Sequence, residues 1–193
     1  GALLEIQRLS DVIHNDYKPR FRTVAWIDSA ISAAAMTAHC LEEIYMTKQG
    51  NYGACTGWSG ALVAMKGRSL EEVLYMMEKI SARGQHDPKI MRSMQIMEPL
   101  SADIDANGDV TWHQDATSGE FVLNPEGRIL TFNAVTAKKF KFARGTADTL
   151  DELGKLMGYQ EIEWVGKPTP GFDWPICDAE KLQMDFRAKT YVD

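Results

Sequence analysis

Four histidines, His14, His39, His86 and His113, and a scatter of acids are the side chains best suited to proton transfer or metal binding. His39 and Glu43 stand four residues apart and would share one side of a helix, as a metal-binding pair does. No third ligand is spaced to join them, and a metal site needs three or four converging ligands. Cys40 next to His39 fails as a nucleophile and base, because successive helical side chains diverge by about 100°. His113 and Asp115 occupy alternate strand positions and face the same way, but no recognisable nucleophile elbow accompanies them, so they read as a surface contact. The string Asp103, Asp105, Asn107, Gly108, Asp109 has oxygen ligands at calcium-loop spacing. Its twelfth position is Gln114 where a bidentate Glu belongs, and Asn107-Gly108 is hairpin-turn chemistry, so a plain turn is expected. Calcium binding by Asp103, Asp105, Asn107 and Asp109 is the alternative.

The run GACTGWSG lacks the lysine of a phosphate cradle. Lys138, Lys139, Lys141 and Arg144 interleave with Phe140 and Phe142, which on a strand is the pattern of one wet and one dry face. Cys40, Cys55 and Cys177 are an odd count, so at most one bridge forms, between Cys40 and Cys55 or not at all. From the residue types alone we assign no catalytic residue, no cofactor-binding residue and no metal ligand.

The elements that would hold these residues follow from periodicity. Residues 3 to 14 form a short helix that ends before Lys18-Pro19. Val24, Ile27, Ile31, Ala34, Ala38, Leu41 and Tyr45 recur at spacings of three and four, which predicts one long helix from Thr23 to Lys48 stopped by Gly50. A loop with packed aromatic rings follows over NYGACTGWSG. Ser69 and Glu72 make a capping box for a helix over Leu70 to Ile80 ended by Gly84, and Asp87-Pro88 opens another through Met94. From Leu100 the segments SADID, DVTWHQ, GEFVL and RILTF alternate between turns rich in Asn and Gly and predict an antiparallel meander, with KKFKFA as a further strand. Thr149 and Glu152 cap a helix from Leu150 to Met157, and a last strand falls near Phe186 to Val192. The fold class is therefore α+β: a long N-terminal helix on an antiparallel meander, with additional short helices. One domain is expected over 1–193, helical to about 98, sheet over about 100–145, and a mixed tail over about 146–193.

At 193 residues, 45% apolar and 25% charged, the chain is globular in composition. Its net charge of −6 gives nothing to attract phosphate backbones, so nucleic acid is not an expected partner. No stretch reaches the roughly 20 apolar residues of a membrane span, and no signal peptide is present. The first residue is Gly1, as a cleaved tag leaves it, so an upstream signal or anchor is a possibility the sequence leaves open.

The segment SAISAAAMTAHCLEEIYMTKQGNY at 29 to 52 resembles the second half of the spine helix of type IV pilins and pseudopilins. DIDANGDVTW and GEFVLNPEGRILTF resemble their first sheet strands. That resemblance covers about a third of the chain. It implies a non-enzymatic, extracytoplasmic structural subunit at the cell surface or in the periplasm. Such a subunit acts through protein partners or self-assembly, with no cofactor and no nucleic acid, and touches the membrane only through an N-terminal anchor. The rival expectation is a small-molecule-binding domain or enzyme. Its pocket would lie between helix and sheet, lined by Trp58, Trp112 and Trp164, with His113, Asp115 or His39 moving protons.

Overall fold

A computed structural model describes residues 2–59, 63–163, 165–168, 170, 181 and 185. Two compact units divide the chain, Gly1–Asp148 and Thr149–Asp193. The larger unit begins with α1 (Ala2–Val12) and a π-helical turn over Ile13–Tyr17. Then come β1 (Val24–Ile31), α2 (Ala33–Ala38) and β2 (Glu43–Gly53). The hairpin of β3 (Trp58–Ser59) and β4 (Val63–Ala64) leads into α3 (Gly67–Arg83) and α4 (Pro88–Gln95). Strands β5 (Leu100–Ile104), β6 (Val110–His113), β7 (Phe121–Asn124) and β8 (Thr131–Asn133) are followed by α5 (Ala134–Lys139) and β9 (Gly145–Thr146).

The mixed α+β class holds, whereas the long helix from Thr23 to Lys48 does not form. Its place is taken by β1, the single short helix α2 and β2, with β1 and β2 running parallel. Burial explains why. In β1 the inward residues are Ala25 and Ile27, two apart, and Ala30 past the register shift between Ile27 and Ser29, whereas Ile31 is 42% exposed and Ala34 beyond it is also exposed. The buried set thus alternates up to the register shift and resumes beyond it, and the spacing of three and four coincides with it at only some positions. β-Branched and aromatic residues at Val24, Trp26, Ile27, Ile44 and Tyr45 favour the pleated conformation, and the alanine run supports only six residues of helix. Gly50 stops no helix. It sits inside β2 at a register shift, where a Cβ would stand 2.9 Å from the carbonyl oxygens of Ile27 and Thr47.

The main sheet has the order β1-β2-β8, with β9 also pairing β2 in parallel. A separate antiparallel sheet, β6-β5-β7, contains three of the four strands expected in the meander. The fourth, β8, pairs antiparallel with β2 instead. KKFKFA is no strand: Lys138 and Lys139 close α5, and Phe140 and Phe142 follow it into the interior. Ala134 to Lys139 are strong helix formers apart from Val135 and Thr136, and Asn133 caps them by accepting from Thr136 N–H.

Helix α3 starts at Gly67, earlier than the Ser69 box implies, with Lys66 as its N-cap. The other caps form as expected. Asp87 accepts from Lys89 N–H ahead of Pro88, and Thr149 accepts from Glu152 N–H at 3.2 Å to open α6 (Leu150–Leu156) in the second unit. A single core gathers Ile27, Met36, Ile44, Met46, Tyr52, Met77, Ile80, Met91, Met94, Leu100, Phe132 and Phe142 beneath the main sheet's helices. Each such side chain contributes roughly 1.5–3 kcal/mol on burial, so the ends of β1 and β2 are held by the bulk of the molecule. The strand expected near Phe186 to Val192 lies outside the described residues.

Candidate functional site

The junction between β1 and α2 is a single residue, Ser32, with φ 58° and ψ −121°. A side chain with a Cβ rarely adopts that region, and holding it there costs about 1–3 kcal/mol, supplied by the surroundings. Those surroundings are visible. Ser32 N–H donates to Gly53 O at 3.0 Å, and Ser32 O accepts from Met36 N–H at 3.0 Å and from Cys55 Sγ at 3.6 Å. The facing end of β2 is itself tied down: Ala54 N–H donates to Leu130 O at 3.0 Å and Cys55 N–H to Met94 O at 2.6 Å. Gly53 and Ala54 both have positive φ, and a Cβ on Gly53 would stand 2.6 Å from Leu130 O. Two strained turns therefore interlock, and the Ser32 side chain, half-buried, makes no capping bond to its own helix. A serine on a sharp turn from strand to helix presents its hydroxyl in the way a nucleophile elbow does.

Beneath α2 lies a buried aromatic cluster. Tyr52 Oη donates to Ala35 O at 2.5 Å, so its oxygen accepts from His39 Nδ1 at 3.1 Å. His39 Nε2 is then left as a bare acceptor with no partner among the described residues. The ring lies 4.6 Å from His86 and 5.8 Å from Phe142, centroid to centroid. Burial, seconded by His86, drives the His39 imidazole well below its ordinary range. Burial also lowers His86, whose Nε2 donates to Leu41 O at 2.8 Å. Desolvation pushes the Cys55 thiol up to about 12, and Cys40 is raised by the same cause.

Lys66 is exposed at the head of α3, directly after Met65. Met65 N–H donates to Gly57 O at 2.9 Å, two residues beyond Cys55. Lys18, by contrast, is committed to Arg83 O at 2.6 Å and to Glu42 at 2.9 Å.

The residues singled out from the sequence are dispersed. His39 ends α2 in the interior, while Glu43 opens β2 held by Arg22, Arg144 and Tyr45, so the pair shares no helix. His113 Nε2 meets Asp103 at 2.9 Å, whereas Asp115 accepts from Thr117 and Ser118 N–H groups in its own turn. In the 103–109 loop, Asp105 accepts from the N–H groups of Asn107 and Asp109, and Asp109 pairs with Lys141 at 3.2 Å. Among the described residues no three His, Cys, Asp or Glu side chains converge on a metal position. Cys40 and Cys55 are free thiols; Cys177 lies outside the described residues. Trp112 packs on Phe132 and Phe140, and the Trp58 and Trp164 side chains lie outside the described residues. Lys139 stacks on Phe121 at 3.9 Å and Arg144 pairs with Glu43, so the basic run is divided among separate partners.

Ser32 itself went unmarked in the sequence. Its signal is the end of a β-branched run at Ile31, then Ser, then Ala33-Ala34-Ala35, a strand giving way abruptly to small residues.

No family model matches the chain. It is 30% identical over 134 residues, 69% of its length, to the membrane protein NfeD1b of Bacillus subtilis (strain 168), and spans about a quarter, 26%, of that relative. Among solved structures it is similar to the 1510-N membrane-bound stomatin-specific protease. A serine-to-alanine mutant of that protease superposes with a TM-score of 0.51 at 12% identity, over 80% of this chain and 61% of that one. A lysine-to-alanine mutant in complex with a substrate peptide gives 0.52 at 13%, over 78% and 57%. These likenesses show a shared fold. They overturn the resemblance to pilins, and with it the non-enzymatic filament subunit: the segment that carried it is a strand, a short helix and a strand, not a spine.

Proposed function

We propose that this domain is a membrane-associated serine hydrolase of the peptidase type, facing the extracytoplasmic side and acting on a protein partner. The strained backbone of Ser32 at the junction of β1 and α2 carries the reading. A fold shared with a protease studied as serine and lysine mutants supports it, and the membrane protein among the relatives supports the setting. Among the described residues no helix is long and apolar enough to cross a membrane.

Ser32 Oγ attacks the substrate carbonyl carbon and passes its proton to the amine of Lys66, which follows Met65, the residue whose N–H donates to Gly57 O. The same proton goes to the leaving amine as the peptide bond breaks, and water then hydrolyses the acyl-serine. Ala33 N–H, among the first four donors of α2 that intrahelical bonding does not use, is the donor adjacent to the developing oxyanion.

A small alkyl fluorophosphonate tests this. It should modify one serine, Ser32, as read by peptide mass spectrometry, and Lys66→Ala should abolish the modification while Lys18→Ala leaves it. Absence of labelling, or labelling elsewhere, overturns the reading.

A further inference from the structure

Helix α2 has six residues, Ala33–Ala38, with Ser32 at one end and His39 at the other. A helix that short makes too few internal bonds to hold itself, so its neighbours decide whether it stands. His39 closes on it twice. Its N–H donates to Ala35 O at 3.0 Å, and its Nδ1 donates at 3.1 Å to Tyr52 Oη, which donates in turn to the same Ala35 O. The residue after Ala35 reaches the junction itself: Met36 N–H donates to Ser32 O at 3.0 Å. The backbone of His39 has no room to retreat, because a Cβ on Gly84 would already collide with its carbonyl oxygen.

This arrangement suits one protonation state. With Nδ1–H given to Tyr52, Nε2 is a buried acceptor with no partner among the described residues, and a proton there would set a cation with an unpaired N–H in the interior. Among the described residues none beside the ring offsets that charge. Tyr52 of β2 and Phe142 beyond α5 are uncharged, and His86, 4.6 Å away between α3 and α4, would repel it. Burial keeps the thiols of Cys40 and Cys55 neutral. The nearby charges are engaged with one another: Asp11 of α1, the helix packed on α2, pairs with Arg83 at 2.6 Å, and Glu42 pairs with Lys18 at 2.9 Å. A protonated His39 ring therefore leaves the cluster for water and takes the donor of Tyr52 Oη with it.

We propose that His39 is a positioning residue of the site: neutral and carrying its proton on Nδ1, it pins Tyr52 to Ala35 O and so sets the first turn of α2 and the Ser32 that precedes it, and a second proton releases that turn. The site is thereby built for neutral surroundings and disarmed in acid. The effect on the Ser32 hydroxyl rests on the hydrolase reading, whereas the hold on the turn needs no chemistry.

Amide hydrogen exchange of the full chain, expressed as protection factors, reads the turn directly. Met36 should lose protection by about tenfold or more between pH 7.5 and 5, because the imidazole of the opened turn titrates near its ordinary 6.5. Leu130, whose N–H donates to Ser93 O at 2.9 Å away from α2, should stay better protected at each pH. In His39→Asn, whose side-chain amide donates to Tyr52 Oη but takes up no proton, Met36 protection should stay level. Equal protection of Met36 and Leu130 throughout, or a fall that persists in His39→Asn, overturns the proposal, and the first comparison needs no variant. Fluorophosphonate labelling at pH 7.5 reads the link to Ser32. His39→Leu, which lacks the donor, should label about tenfold more slowly than His39→Asn, the effect of one lost hydrogen bond. Equal rates in the two variants overturn the proposal and leave the hydrolase reading standing. If the wild-type chain fails to label while Met36 protection follows pH, the hydrolase reading falls and the hold of His39 on the turn stands.

Discussion

Tyr52 Oη, at the end of β2, donates across 2.5 Å to the carbonyl oxygen of Ala35, one turn into the helix that begins at Ser32. The adjacent Gly53 carbonyl accepts from Ser32 N–H, so two neighbouring residues of one strand grip the first turn of α2 from below. Tyr52→Phe removes the hydroxyl and nothing else. Ala35 O keeps the His39 N–H at 3.0 Å, but His39 Nδ1–H is left buried without an acceptor. The expected loss is about 1–3 kcal/mol. It is read as a lower urea midpoint with an unchanged slope, since the unfolded chain is the same.

Acid should unfold this protein early. His39 and His86 both have folded values below the ordinary 6.5, His39 by burial and then His86, His86 mainly by burial. The unfolded chain binds protons near pH 6.5 that the native chain refuses, so stability is complete above that pH and is lost as pH falls through it. The slope approaches about 2.7 kcal/mol per pH unit while both imidazoles contribute. Glu42 and Glu43, held low chiefly by Lys18 and Arg22 respectively, add to the loss only at lower pH. Urea midpoints measured from pH 7.5 to 5 should drop steadily; a flat series would contradict the buried, neutral pair.

Thiol chemistry gives an independent check on the interior. Cys55 is raised to about 12 and Cys40 is raised as well, both fully buried, so neither presents thiolate to solvent at neutral pH. In a Cys177→Ser background the native chain should react with a disulfide reagent only on the timescale of opening, and two thiols should titrate at once in 8 M urea. Fast labelling of either thiol in the native chain would place it elsewhere.

Local signals in the sequence fared well where one short-range interaction decides the outcome. Asp87 before Pro88, Thr149 with Glu152, and Asn107-Gly108 with Gly108 at φ 81° all sit in the structure as their chemistry dictates. The failure over residues 23 to 48 has a different origin. Val24, Ile27, Ile31 and Ala34 satisfy a helical period by coincidence, and the choice between helix and strand was made by pairing with β2, β8 and β9, contacts far away along the chain. The same oversight hid Ser32. Inside a presumed helix it was one more small residue, and only the break between β1 and α2 gives its hydroxyl a direction.

The strain at Ser32 can be measured directly. With φ 58° and ψ −121° the backbone occupies a region open to glycine and penalised for any residue with a Cβ. Ser32→Gly should therefore raise stability by about 1 kcal/mol. That is near the low end of the strain penalty, because glycine also adds freedom to the unfolded chain. Ser32→Ala keeps the Cβ and the strain, so it should shift stability by less than about 0.5 kcal/mol in either direction. Both variants lose the hydroxyl and should both lose fluorophosphonate labelling. The pattern that supports a residue held in place for chemistry is a gain of stability in Gly, none in Ala, and inactivity in both. Were Ser32→Gly instead to destabilise the chain, the conformation would be one the serine prefers, and the argument from strain to nucleophile would fail.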